Sequence, residues 1–175
     1  MYIYIFLSFL ALINIIFFVK KVRLEFVSQI YSFFLVLGIV VLSQNRLQIV
    51  GGLLTLILCI GSVISLSFLE NRNKVHIIKE QLFLLPLILI IVLEELFFRT
   101  VTYEHITSPF LFIIISGVSF GLCHIYFSKR DMIYKFFLGM MLAILYVRSN
   151  NVYLCILIHL IYNMFILNFT RRSEK

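Results

Sequence analysis

The hydrophobic positions of the chain fall into seven long apolar runs, separated by short polar connections. The runs cover approximately residues 1–19, 26–43, 47–69, 82–105, 109–127, 132–147 and 152–169. A helix that crosses the hydrocarbon core of a bilayer needs about 20 apolar residues, within a range of roughly 17–25. The sixth run is short by this measure unless it starts near Arg130. The pattern predicts an all-α integral membrane protein, a bundle of about seven transmembrane helices.

The lysines and arginines between the runs predict the orientation of this bundle. If successive helices alternate in direction, twelve of the fifteen basic residues fall on one side of the membrane and three on the other. The larger group is Lys20, Lys21, Arg23, Arg72, Lys74, Lys79, Lys129, Arg130, Lys135, Arg171, Arg172 and Lys175, and the smaller is Arg46, Arg99 and Arg148. Because cytoplasmic loops carry the excess of basic residues, we predict an external N-terminus and a cytoplasmic C-terminus.

The composition agrees with a membrane protein, since 62% of the residues are hydrophobic and only 13% are charged. A soluble domain carries about 25% charged residues. The 175 residues fit a single membrane domain. The formal charge of +7 does not indicate a nucleic-acid partner, because the basic residues stand in short clusters between apolar runs. Cys59, Cys123 and Cys155 lie within apolar runs, where we expect buried, inert thiols rather than a disulfide or metal framework.

A few ionisable or amide side chains interrupt the predicted helices. The candidates among them are Glu94, Glu95, Arg99, His124, His159 and Asn163. A charged side chain at the middle of a bilayer costs about 3 kcal/mol on insertion scales. Such residues persist where they face the interior of a bundle and find partners, and they usually serve function. His76 and His105, in contrast, fall in predicted loops, where we expect them to be solvated.

Helical spacing divides these polar residues into two groups. Glu95 and Arg99 are four residues apart, on one face and in the favourable order, so we expect them to neutralise each other. Glu94 is rotated by about 100° from Glu95 and gains no such partner from its own helix. His159 and Asn163, again four residues apart, share one face of the last helix. Glu94 therefore needs partners from other helices.

Depth counting brings Glu94, His124, His159 and Asn163 to a common level. With a rise of about 1.5 Å per residue, all four lie within about one helical turn of the depth of Glu94. A carboxylate opposite an imidazole can hold and deprotonate a water, and a second imidazole with an amide can stabilise an oxyanion. These faces carry no Ser/His/Asp set, which argues against a serine protease. Phe120, one turn before His124, is expected to pack over that imidazole.

Three motifs in this region resemble the CAAX prenyl protease 2 and bacteriocin-processing family of intramembrane endopeptidases, also called CPBP or ABI proteins. The family motifs EExxxR, FxxxH and HxxxN stand in order at residues 94–99 (EELFFR), 120–124 (FGLCH) and 159–163 (HLIYN). The resemblance covers about residues 80–170, which we interpret as the catalytic core. Residues 1–79 would form variable N-terminal helices of the same domain, 1–175.

The resemblance implies a role for each motif residue. The implied catalytic residues are Glu94, His124, His159 and Asn163, and the implied supporting residues are Glu95, Arg99 and Phe120. In this assignment Glu94 and His124 activate the water. His159 and Asn163 stabilise the oxyanion that forms when the water attacks an amide.

The same resemblance raises the question of a metal, because the family has also been described as metalloproteases. The alternative is therefore a zinc ion held by Glu94, His124 and His159. Because Asn163 would be a poor zinc ligand, we favour water activation that requires no metal or other cofactor.

The resemblance also indicates the kind of substrate. Family members cleave near the C-terminus of prenylated proteins in eukaryotes, and bacterial members are linked to bacteriocin maturation, self-immunity and peptide signalling. The short length and the Ile-, Phe- and Asn-rich composition are typical of a bacterial chain, which disfavours a prenylated substrate. We therefore expect a multi-pass protease of the bacterial cytoplasmic membrane whose partners are the lipid bilayer and a small membrane-associated peptide.

Three other interpretations stay open at this point. A catalytically silent immunity or partner-binding protein could keep the same fold. A proton-coupled transporter could use Glu94 as its carrier, although seven short helices without an inverted repeat argue against it. The polar residues could also serve only to fix helix packing. Interhelical hydrogen bonds contribute about 0.6 kcal/mol each, which is too little to offset an unpaired carboxylate.

Overall fold

The computed structural model describes residues 2–22, 24–70 and 76–173, without the side chains of residues 24, 25, 28, 46, 56, 59, 62–70, 76–84 and 167–173. Within this described part the chain is helical and contains no strand, as the apolar runs predict. The helices are α1 (Tyr2–Lys20), α2 (Leu24–Leu42), α3 (Arg46–Glu70), α4 (His76–Glu95), α5 (Thr102–His105), α6 (Pro109–Cys123), α7 (Lys129–Ser149) and α8 (Val152–Ser173). A π-helical segment, Leu96–Val101, joins α4 to α5 without a break, so the described residues form seven continuous helices.

The helices differ in how clearly they are suited to a membrane. In the part of the chain that the structure describes, α1 and α7 are long and apolar enough to cross one, and shorter apolar stretches cover 29–42, 109–123 and 152–166. The number of spans and their orientation stay predictions. The predicted orientation depends in part on basic residues that lie outside the described residues or side chains, namely Arg23, Arg46, Arg72, Lys74, Lys79, Arg171, Arg172 and Lys175. The side chain of Cys59 is also outside the described part.

The boundaries around the connection between α6 and α7 differ from the prediction. α6 ends at Cys123 rather than near residue 127, and the chain turns with the amide of Phe127 donating to the carbonyl of His124 at 3.2 Å. α7 begins at Lys129 rather than 132, because the Ser128 hydroxyl accepts the amide hydrogen of Asp131 at 2.9 Å and caps the first turn. The sixth helix is therefore longer than its apolar run.

Both histidines that were expected in loops belong to helices, so those two predictions are wrong. His76 is the first residue of α4, which begins six residues before the predicted apolar run. His105 is the last residue of α5 and is only partly exposed. Its Nε2 lies 2.7 Å from the carbonyl oxygen of Leu42 and donates a hydrogen bond to the end of α2. This contact joins the second and fourth apolar segments on one side of the molecule.

Small residues allow α6 and α7 to approach closely. A Cβ atom on Gly121 would lie 2.9 Å from the carbonyl oxygen of Met132, and one on Gly139 would lie 3.1 Å from the Cα of Gly117. Gly117 and Gly121 are four residues apart, the small-xxx-small spacing at which helix backbones come together in membranes. This close crossing brings the end of α6 against the first half of α7.

Candidate active site

Glu94 lies near the C-terminal end of α4 with only 3% of its surface exposed. The Tyr31 hydroxyl on α2 donates a hydrogen bond to its Oε1 at 3.1 Å. The Nε2 atom of His124 lies 3.4 Å from the same oxygen. The partners that helical spacing could not supply therefore come from two other helices, and one of them lies in the N-terminal part of the chain.

His124 is held in a defined orientation at the end of α6. It is the C-cap of the helix, with φ −98° and ψ 1°, a sparsely populated backbone region in which many active-site residues are found. Its Nδ1 lies 2.8 Å from the carbonyl oxygen of Phe120 and must donate, since a carbonyl only accepts. In the neutral ring Nε2 is then an acceptor directed at Glu94. The Phe120 ring centroid lies 4.6 Å from that of His124, which confirms the predicted packing.

Glu95 and Arg99 form the predicted pair, with Arg99 Nε donating to Glu95 Oε2 at 2.9 Å and both side chains fully buried. Arg99 Nη1 also donates to the hydroxyl of Ser116 on α6, and that hydroxyl donates to the carbonyl of Phe98 at 3.2 Å. The guanidinium carbon lies 5.4 Å from the Phe120 ring centroid, in a cation–π arrangement. The π-helical segment that carries Arg99 is of a kind that occurs frequently at functional sites.

His159 lies differently from the prediction. It was expected to face the same space as Glu94, but it has no exposed surface, and its Nδ1 lies 2.9 Å from Glu95 Oε1. The face of α8 that carries it packs against the Glu95–Arg99 pair, so His159 contacts the supporting carboxylate instead of Glu94. Asn163, one turn later on α8, does reach the cavity beside Glu94.

A cavity of about 520 Å³ lies in front of Glu94. Most of its lining surface is apolar, although Ser128, Arg130, Asp131, Tyr134 and Tyr162 contribute to it. The polar side chains that concern the site are Asn14, Tyr31, Glu94, His124, Lys135 and Asn163. These six come from α1, α2, α4, the end of α6, α7 and α8. A mostly apolar pocket with a few converging polar groups is the usual form of a binding site for a small or extended apolar ligand.

Sequence reasoning missed three of these six residues, namely Asn14, Tyr31 and Lys135. Lys135 was counted as a loop charge, yet it is 7% exposed, and its Nζ donates to Asn163 Oδ1 at 2.9 Å. The signal that could have found it is the Ser128 cap, which puts Lys135 two turns inside α7 instead of near its start. Tyr31 belongs to no motif, and nothing in the pattern of its apolar run distinguishes it from the neighbouring aromatic residues.

The zinc alternative can be compared with the positions of its ligands. Among the side chains that the structure describes, no group of three or more His, Cys, Asp or Glu could hold a metal ion. Glu94 and His124 are close together, but the two ring nitrogens of His159 face Glu95 and Lys135. The proposed zinc set therefore does not converge. Cys123 and Cys155 are buried and free, as the apolar runs predict.

The comparisons with known proteins give one match. Residues 80–165 match the family model described as type II CAAX prenyl endopeptidase Rce1-like, which confirms the resemblance carried by the three motifs. All three motifs lie inside the matched segment. No curated protein and no solved structure gives a significant match to the chain.

Proposed function

Because residues 80–165 of this chain belong to the type II CAAX prenyl endopeptidase family, we propose that the protein is an intramembrane endopeptidase. It hydrolyses a peptide bond in a small membrane-associated peptide, with a water activated by Glu94 and His124. The observation that carries the proposal is the 3.4 Å approach of His124 Nε2 to Glu94 Oε1 at the wall of the cavity. A carboxylate and an imidazole at this distance can bind one water together.

The chemistry of the site follows from these two acceptors. Among the described residues the close contacts of Glu94 fall on Oε1: Tyr31 donates a hydrogen bond to it, and the Nε2 lone pair of His124 lies 3.4 Å away, so that one water can donate to both. Glu94 removes a proton from that water while its oxygen attacks the carbonyl carbon, and the π electrons of the carbonyl move onto its oxygen. When the intermediate collapses, the C–N bond breaks and the departing nitrogen takes up the proton from Glu94. His124 Nε2 accepts a hydrogen bond from the water through its other proton and so orients the water for the attack.

The surface of the bundle supports a location in a membrane. Large apolar side chains are exposed on α1, α2, α3, α6, α7 and α8, and examples are Ile5, Val41, Leu47, Phe110, Phe137 and Phe165. Soluble monomers rarely expose continuous apolar surface on this scale. We therefore propose a multi-pass protein of the bacterial cytoplasmic membrane, with the seven spans and the cytoplasmic C-terminus that the loop charges predict.

The test is cleavage of two internally quenched peptides by the purified protein in proteoliposomes. Both peptides carry one apolar segment and one C-terminal cysteine, which is farnesylated in only one of them. We expect Glu94→Gln and His124→Ala each to lower kcat by on the order of 10³-fold, the range for loss of a general base. Glu104→Gln, an exposed carboxylate on α5, is the matched control and should keep wild-type activity.

The results separate the parts of the proposal. Equal cleavage by wild type and both site variants would overturn catalysis by Glu94 and His124 and would favour the silent partner-binding protein. Cleavage of the farnesylated peptide alone would leave the endopeptidase in place and would overturn the unprenylated substrate. The same assay after treatment with a strong chelator tests the metal question, and we expect the rate to be unchanged.

A further inference from the structure

The cavity contains a buried cation that the proposed mechanism does not yet use. Lys135 lies on α7, two turns beyond the Ser128 cap, and its Nζ donates to Asn163 Oδ1 at 2.9 Å and lies 3.4 Å from His159 Nε2. The ammonium also lies 5.3 Å from the ring centroid of Tyr162. It therefore contacts both of the residues to which oxyanion binding was assigned.

The hydrogen bonds of His159 determine what that ring can do. Its Nδ1 faces Glu95 Oε1, and Glu95 is the carboxylate paired with Arg99, so it accepts and Nδ1 carries the proton. In the neutral ring Nε2 is then a lone pair, and it accepts from Lys135. A neutral His159 therefore has no N–H to donate to an oxyanion. Its Nε2 lone pair faces the ammonium of Lys135 instead.

Asn163 also accepts a hydrogen bond from Lys135. Its Oδ1 accepts from the ammonium, which turns the amide nitrogen away from Lys135 as the remaining donor of that side chain. An ammonium has three N–H donors, and two of them are directed at His159 and Asn163. Lys135 lines the cavity, so its third donor is left for a ligand there.

The distribution of charge in the cluster also indicates a role for Lys135 in stabilising negative charge on the substrate. Glu95 and Arg99 neutralise each other at 2.9 Å, whereas the close contacts of Glu94 are a hydroxyl and an imidazole. Among the described residues that line the cavity, the basic side chains are Arg130, which is exposed, and Lys135, which is buried. The acidic ones are Glu94 and Asp131; Asp131 lies one turn before Lys135 on α7, and the described residues show no ion pair between them. When Glu94 takes the proton of the water, the negative charge passes to the carbonyl oxygen of the substrate. A fixed cation inside the cavity stabilises that charge at its new position.

We propose that Lys135 is a catalytic residue that donates to the oxyanion, and that it also orients the Asn163 amide beside it. This inference rests on the proposed function. No bond to Lys135 forms or breaks. Its charge is the same before and after the reaction, and it acts through a hydrogen bond that is stronger to the oxyanion than to the ground-state carbonyl.

The experiment compares Lys135→Met and Lys135→Arg in the proteoliposome assay with the same two quenched peptides. We expect Lys135→Met to lower kcat by about 10²–10³-fold, the effect of removing one oxyanion donor, and to leave KM within about threefold of wild type. Lys135→Arg keeps the positive charge and should recover at least tenfold of the lost kcat. Lys129→Met removes an exposed lysine from the start of the same helix and should keep wild-type kcat.

A kcat of Lys135→Met within about fivefold of wild type would overturn the inference, and so would a loss seen only in KM, which indicates ground-state binding. Loss of kcat that Lys135→Arg does not recover would also contradict it. If Lys135→Met loses its helical circular dichroism, Lys135→Gln is judged by the same kcat criterion. Glu94→Gln is measured alongside. If that variant is inactive while Lys135→Met is active, the proposed function stands and only the role of Lys135 fails.

Discussion

Two neighbouring glutamates divide the polar cluster into groups with opposite surroundings. The cavity-facing group consists of Tyr31, Glu94 and His124, and the enclosed group consists of Glu95, Arg99 and His159. Glu95 has no exposed surface, and each of its two oxygens accepts a hydrogen bond at 2.9 Å, one from Arg99 and one from His159. Glu94 receives contacts at 3.1 and 3.4 Å, both on one oxygen, and lines a cavity.

The difference indicates a division of work between two residues with the same chemistry. A carboxylate with a charged partner and complete hydrogen bonding is stabilised as the anion and has little to offer a substrate. A carboxylate that lines a cavity and has no charged partner in hydrogen-bond contact can accept a proton. The rotation of about 100° between successive residues of a helix is sufficient to separate the two environments. The enclosed group then stabilises the helix packing, and the cavity-facing group carries out the reaction.

The substitution Glu95→Gln should have the largest effect among the tests of this division between the enclosed and the cavity-facing group. It leaves Arg99 as a buried cation without its counter-charge, and such a loss costs about 3–5 kcal/mol. We expect the free energy of unfolding to fall by that amount, measured by denaturant titration of the helical circular dichroism in detergent micelles. Glu94→Gln is the matched control and should change it by less than about 1 kcal/mol, because its close contacts are a hydroxyl and an imidazole. Equal destabilisation by both variants would abolish the distinction.

A smaller effect is expected from Gly121→Ala, which separates α6, the helix that ends at His124, from α7. The new Cβ would lie 2.9 Å from the carbonyl oxygen of Met132, a backbone atom that cannot move without shifting α7. Overpacking of this kind costs about 1–3 kcal/mol in free energy of unfolding. The same titration measures it, with Gly51→Ala as control, since a Cβ there meets nothing within 4 Å. No difference between the two alanine variants would mean that the α6–α7 crossing does not depend on close contact.

Much of the fold could be predicted from the sequence, because lipid-length apolar runs and short polar connections leave few arrangements open. The helical class and the approximate limits of the runs follow from hydrophobicity alone. The start of α7 did not, since Ser128 and Asp131 extend the helix through polar residues that an apolar run excludes. The π-helical segment was also missed, because no propensity distinguishes six residues of π-helix from α-helix.

The site was predictable where a contact lies within one helix or one motif, and less so where it crosses between helices. Spacing along the chain predicted the Glu95–Arg99 pair and the packing of Phe120 on His124. It could not predict that α8 turns His159 towards Glu95, because that depends on the relative rotation of two helices. Tyr31 illustrates the same limit, since a hydroxyl on α2 reaches Glu94 across 63 residues of sequence.

The last effect is one of rate rather than of stability, and it concerns the cavity-facing group itself. Tyr31→Phe removes the hydroxyl that donates to Glu94 Oε1 and leaves the ring in place. A hydrogen bond to a charged group contributes about 1.5–3 kcal/mol, so we expect kcat for the quenched peptides to change by about tenfold or more. Loss of activity is the expected direction, because the hydroxyl fixes the orientation of the carboxylate that holds the water. Tyr153→Phe is the matched control, since that side chain is 79% exposed on α8 and should retain the wild-type rate. If the Tyr31→Phe variant is as active as wild type, α2 contributes only packing to the site. The catalytic group then lies wholly within the segment that matches the family model.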